Sequence, residues 1–143
     1  MIVIDTNLLL YAYGSSTPHH ARARAWLESV ISGNQTVGLA WQTVTGFVRI
    51  ATDSRIPGYR RSVAEVLRTV EEWLEHPNVR VLVAGERYWS LFHSMVTEGQ
   101  ASGPLVSDAE LAALTLEHGG VLYTADRDFA RFPGLRWVNP LAP

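Results

Sequence analysis

A chain of 143 residues with 47% apolar and 18% charged side chains can bury one sizeable core, and the length predicts a single domain over 1–143. It contains no cysteine, which excludes disulfides, thiolate metal sites and cysteine nucleophiles. The net charge is −2, and all 12 basic residues are arginine, so a P-loop lysine, a Schiff-base lysine and the lysine of phosphate-handling aspartate enzymes are excluded as well.

Met1-Ile-Val-Ile runs straight into Asp5, with no basic region and no long apolar stretch, which predicts no targeting segment. No apolar run approaches the ~20 residues that span a bilayer, so a cytoplasmic protein with no membrane partner is expected. Met1–Ile4 has the short, β-branched character of a buried parallel strand. Asp5 to Tyr13 then turns from strand into a short helix. Gly14-Ser-Ser-Thr-Pro closes it, with Thr17 as N-cap and Pro18 as first residue of the next helix. His20 to Ile31 follows with Ala23, Trp26, Leu27, Val30 and Ile31 on one side.

Val37–Ala40 predicts a second strand, and Trp41 to about Thr52 a helix on the spacing of Val44, Phe47, Val48 and Ala51. Ile56-Pro-Gly-Tyr is a loop. Ser62 to Leu74 is helical, with Ser62 and Glu65 fitting a capping box. A strand at Val79–Val83, a helix from Glu86 to Glu98 and the connector Gln100-Ala-Ser-Gly-Pro come next. A helix from Ser107 to His118 ends at Gly119-Gly120, and the strand Val121–Tyr123 leads into Thr124-Ala-Asp126-Arg-Asp128. Leu135–Val138 is a last strand. The alternation predicts a three-layer α/β/α domain with a short, mainly parallel sheet.

Open parallel sheets bind ligands at the carboxyl ends of their strands. Asp5 follows the first strand directly, Asp126 follows the Val121–Tyr123 strand by three residues, and Asp108 lies in a first helical turn that favours an anion. Three acids gathered at one edge repel unless a cation lies between them, and an all-oxygen set suits Mg²⁺ or Mn²⁺. Each acid has a structural alternative. Asp5 can cap a helix, Asp108 can answer a helix dipole, and Asp126 and Asp128 can form Asx-turns.

The ordered motifs carry a resemblance. Ile2-Val-Ile-Asp5-Thr-Asn7-Leu-Leu-Leu resembles the opening of PIN-domain nucleases. Asp108-Ala-Glu-Leu-Ala-Ala-Leu and Leu122-Tyr-Thr-Ala-Asp126-Arg-Asp128-Phe resemble their closing motifs. Trp41…Phe47-Val-Arg49 and Trp137-Val-Asn-Pro140-Leu141 are similar to the VapC-type toxins of type II toxin–antitoxin pairs. The resemblance implies Asp5, Asp108 and Asp126 as metal-binding catalytic acids, Asn7 orienting the first of them, Thr124 as a hydroxyl near metal or phosphate, and Asp128 as an auxiliary acid. It also implies Mg²⁺ or Mn²⁺ as cofactor, RNA as substrate, a VapB-type antitoxin as partner and a homodimer.

The chain departs from that pattern where relatives carry a glutamate before the phenylalanine of the Trp41 segment: here stands Gly46. Asp53 lies ~10 Å further along such a helix and is a poor substitute, whereas Gln42 shares the face of Gly46 and could offer a neutral oxygen.

The chemistry implied is metal-activated hydrolysis of an RNA phosphodiester by water, leaving a 5′-phosphate and a 3′-hydroxyl. Arg22, Arg24, Arg49 and the Arg55/Arg60/Arg61 group are the candidates for phosphate contacts, with solvated helix faces as their alternative. His19, His20 and His76 fit surface or capping roles, and Trp26, Trp41 and Trp137 fit the core rather than base stacking. Two other readings stay open. One is a weakened PIN module that binds RNA or antitoxin without efficient cleavage. The other is an aspartate-phosphorylated domain, which the missing lysine disfavours.

Overall fold

The computed structural model describes residues 1–59 and 61–143; Arg60, one of the arginines offered above, lies outside the described residues. The elements in chain order are β1 (Ile2–Ile4), α1 (Thr6–Tyr13), α2 (His20–Ile31), β2 (Val37–Ala40), α3 (Trp41–Ala51), α4 (Val63–Glu75), β3 (Val79–Leu82), α5 (Tyr88–Glu98), α6 (Leu105–Glu117), β4 (Val121–Tyr123), a 3₁₀ turn (Arg127–Arg131) and β5 (Trp137–Val138). The five strands form one sheet in the order β3-β2-β1-β4-β5, and every pairing is parallel, not merely most of them.

Because the strands carry helices on both faces, they are apolar on both faces. In β1, Ile2 and Ile4 point into a core shared with Leu8, Leu9, Leu27, Phe47, Val66 and Trp73 from α1 to α4. Val3 points the other way, toward Met95, Leu111, Ala112 and Leu122 of the α5–α6 side. On the first side Phe47 packs between Tyr13 and Trp73, with ring centroids 5.3 and 4.7 Å away. Alternation along three residues of β1 is therefore enough to join three layers.

Several boundaries differ from the sequence expectation. α2 begins at His20, not Pro18, and Thr17 caps the preceding turn by accepting from the His19 N–H at 3.2 Å. α5 begins two residues later than expected, at Tyr88, and α6 two residues earlier, at Leu105, directly after Pro104. β5 keeps only Trp137 and Val138. The capping box holds: Ser62 accepts from the Glu65 N–H at 3.2 Å. α6 stops at Gly119, whose φ of +66° is the left-handed turn that glycine takes without strain.

Trp41 corrects an assignment to the core. It is 52% exposed, because the buried stripe of α3 runs through Thr43, Val44, Phe47 and Ala51 and leaves Trp41 on the flank with exposed Thr45. Trp26, by contrast, is half-buried and stacked on Tyr123. Among the described residues no helix is long and apolar enough to cross a membrane.

Candidate metal centre

The chain leaves β1 toward β2 on one side and reaches β4 on the other, so the strand order reverses between β1 and β4. In open α/β sheets the crevice at the carboxyl ends of such a pair is where ligands bind. The register pairs Ile4 with Tyr123, and the Asp5 N–H extends the ladder by donating to the Tyr123 carbonyl at 3.0 Å. One step on, Asp5 therefore faces Thr124.

Thr124 is fully buried and joins the site together. Its hydroxyl donates to Asp5 Oδ2 at 2.7 Å and accepts from the Asp126 N–H at 3.0 Å and from Asn7 Nδ2 at 3.3 Å. Asn7 Oδ1 in turn accepts from the Ala125 N–H at 3.4 Å. Asn7 is thus linked to Asp5 through Thr124, whose hydroxyl lies among the carboxylates. The other Asp5 oxygen, Oδ1, accepts from the Thr6 N–H at 2.7 Å, which makes Asp5 the N-cap of α1 as well as a site residue.

Asp126 caps the 3₁₀ turn: its Oδ1 accepts from the Asp128 N–H at 2.8 Å. This Asx-turn folds Asp128 back toward Asp126. Asp108, in the first turn of α6, comes in from the opposite wall. Carboxylate oxygens of Asp108, Asp126 and Asp128 all lie within 4.8 Å of one another. The tightest trio thus includes Asp128, offered above only as an auxiliary acid, while Asp5 stands beside it, held by Thr6 and Thr124. The signal for Asp128 was its spacing of two from Asp126, the reach of an Asx-turn.

The charges register this crowding. Burial pushes the Asp5 carboxyl above the usual aspartate range, the bonds from Thr124 and Thr6 pull it back, and the charge of Asp126 pushes it up again. Asp108 is pushed up to about 6, first by burial and then by the charges of Asp5, Asp126 and Asp128, with Arg131 opposing. Like charges this close are the condition that a bound cation relieves.

A β-carbon built on Gly46 would lie 3.2 Å from Thr6 Oγ1, so position 46 faces the residue next to Asp5. The position that holds glutamate in the resembled pattern therefore lies beside the Asp5 segment and carries no side chain here. Gln42 Nε2 donates to the Ser107 carbonyl at 3.2 Å and braces α3 against α6, which leaves the amide oxygen as the acceptor that Gln42 has to offer. Asp53 is tied up by Arg55, which holds its carboxyl down to about 2.

The described arginines among those offered for RNA have the following surroundings. Arg55 is held on Asp53 at 2.9 Å, and Arg24 on Glu28 at 3.0 Å. Arg49 lies eight residues along α3 from Trp41, ~12 Å down the helix axis. Arg22 is exposed in the first turns of α2, and the Arg61 guanidinium sits 4.7 Å over the Tyr13 ring. A cavity of about 600 Å³ between α1, α2 and α4 is lined by Tyr13, His20, Arg24, Arg61 and Trp73 and by none of the five aspartates.

Comparison with known proteins places the chain in a family and a fold. The family model described as the PIN domain matches residues 2–135. The ribonuclease VapC33 of Mycobacterium tuberculosis is 38% identical over 141 residues, covering 99% of both chains. Among solved structures, VapBC-1 from nontypeable Haemophilus influenzae superposes with a TM-score of 0.71 at 21% identity, covering 99% of this chain and 100% of that one. A toxin–antitoxin complex from Klebsiella pneumoniae superposes with a TM-score of 0.69 at 18% identity, covering 98% of each chain.

Proposed function

This chain belongs to the PIN-domain family, and from that premise we propose that residues 1–143 act as a single domain that cuts RNA with a divalent metal, as the toxin of a toxin–antitoxin pair. The observation that carries the reading is the Asp108–Asp126–Asp128 trio at the β1–β4 switch point, with Asp5 locked beside it. The ribonuclease names of its full-length relatives support the same substrate class.

The donor set fits Mg²⁺ or Mn²⁺. It is all carboxylate oxygen, its members crowd one another, and Asp108 is raised first by burial and then by the neighbouring charges. Asp108, Asp126 and Asp128 would hold the ion, with Asp5 as the fourth acid at the reacting phosphate. Bound metal supplies positive charge for the phosphodiester and lowers the pKa of water. The chain's own contribution is position. Thr6 and Thr124 fix both oxygens of Asp5, Asn7 fixes Thr124, and the Asx-turn fixes Asp128 against Asp126. Hydrolysis by water leaves a 5′-phosphate and a 3′-hydroxyl.

Cleavage of total RNA with Mn²⁺, comparing wild type with Asp5→Ala, tests this. Loss of cleavage in the variant is expected; equal cleavage by both, or none by either, overturns it. Gly46 favours a second reading, a site one carboxylate short that binds RNA or antitoxin and cuts poorly. RNA binding without turnover at saturating Mn²⁺ would distinguish it. A VapB-type antitoxin, a homodimer and a cytoplasmic location belong to the same proposal; sedimentation of the isolated chain checks the dimer.

A further inference from the structure

Beside the acids, on the other side of the Gln42–Ser107 bridge, lies a groove of about 370 Å³ lined by Trp41, Gln42, Val83, Tyr88, Glu110 and Leu114. Trp41 is the chain neighbour of Gln42 and Asp108 that of Ser107, so one hydrogen bond links the segment that carries Trp41 to the segment that carries an acid. Trp41 begins α3 at the carboxyl end of β2, on the same rim of the sheet as Asp5 and Asp126, and half of its surface is open. An exposed indole there offers a flat platform for an unpaired base.

The polar groups of the groove narrow the choice of base. Glu110 is half-buried and only accepts hydrogen bonds when ionised. Gln42 uses its amide nitrogen on Ser107, which leaves its oxygen as a second acceptor. Tyr88 adds a hydroxyl that can donate or accept, so it is the carboxylate of Glu110 that favours a base presenting two adjacent donors. Guanine carries N1–H and N2–H₂ side by side, matching the two oxygens of a carboxylate, whereas adenine, cytosine and uracil lack that adjacent pair.

We propose that Trp41 and Glu110 form a guanine subsite, Trp41 stacking on an unpaired guanine and Glu110 pairing with its N1–H and N2–H₂, which selects single-stranded RNA at the metal centre. The proposal rests on the ribonuclease reading above and adds a specificity to it. The two residues position substrate and take no part in the chemistry.

The test is binding of a labelled single-stranded oligouridine carrying one guanosine, against the same oligomer with adenosine or uridine in that place. It is measured with Mg²⁺ in an Asp5→Ala background, which keeps the other three acids. The guanosine oligomer should bind best. Adding Trp41→Ala should weaken it roughly tenfold, while Trp41→Phe keeps most of the affinity. Glu110→Gln should erase the preference for guanosine without abolishing binding. Trp41→Ala binding like the background, no preference among the three oligomers, or Trp41→Ala turning a dimer into a monomer would each overturn the subsite, the last by showing a second copy on this face. Wild type cutting RNA with Mn²⁺ independently of Trp41 and Glu110 overturns the subsite alone. Guanosine-selective, Trp41-dependent binding without any cleavage by wild type supports the subsite and overturns the nuclease.

Discussion

Replacing Asp108 by asparagine should stabilise the metal-free protein while abolishing its metal-dependent activity. Asp108 is raised from 3.8 to about 6. Each unit corresponds to ~1.4 kcal/mol, so the full shift has an upper bound of ~3 kcal/mol. Asp108 is only half-buried and solvent screens its neighbours, which reduces this to ~1 kcal/mol. The sign follows from proton uptake. Between pH 3.8 and about 6 the native state holds more protons than the unfolded chain, so stability falls as pH rises through that window. The loss is absent below it and complete above it. The neutral, isosteric asparagine escapes this loss. In EDTA at pH 7.5, thermal melts should therefore place Asp108→Asn about 3 °C above wild type, with the gap closing toward pH 4. Saturating Mn²⁺ should reverse the order, because wild type gains more by binding the ion. A variant no more stable than wild type in EDTA, or a gap that ignores pH, would refute the claim that burial and neighbouring carboxylates together make the charged Asp108 costly.

Other perturbations separate the parts of the centre. Thr124→Val keeps the shape but strands Asp5 Oδ2 and the Asp126 N–H; a loss of ~1–3 kcal/mol in urea unfolding is expected, with Thr124→Ser close to wild type. Gly46→Glu should tighten Mn²⁺ binding in calorimetric titration, and the ~1 kcal/mol that a helix gains on losing glycine offsets crowding against Thr6. Unchanged affinity would mean that a side chain at 46 does not reach the ion. Chelation should stop RNA cleavage and added Mn²⁺ restore it, as read by the appearance of new 5′-phosphate ends. Phe47→Ala, which removes the ring between Tyr13 and Trp73, should cost ~3–5 kcal/mol by urea unfolding without moving the acids.

Strand runs and their stops carried most of the fold. β2 and β4 match the sequence reading residue for residue, because a parallel strand with helices on both faces leaves a short apolar run. The same logic located Asp5 and Asp126, which stand where such runs end. What escaped was set by pairing across the sheet or by local turns. Thr124 becomes a junction only because β1 and β4 pair in one register. Asp128 enters the trio through an Asx-turn whose direction the sequence does not state. Helical periodicity placed Trp41 on a helix but could not say that it lies beside the buried stripe. Arg24 with Glu28 at i,i+4 is an ordinary exposed helical pair, and that spacing was legible in the sequence.

The bond from Thr124 to Asp5 closes a loop of 119 residues around the middle of the sheet. A chain growing from its N-terminus makes Asp5 almost first and Asp126 almost last, so no emerging fragment holds the assembled acids. Until Val121–Tyr123 arrives, β1 has one open, wholly apolar edge, the kind of surface that recruits other strands. Closing so distant a pair is also slow compared with local helix formation. On the proposed reading, the late strand would act as a safety catch during synthesis: a product truncated before β4 lacks Asp126 and Asp128 and, with its open edge, is expected to aggregate rather than cut.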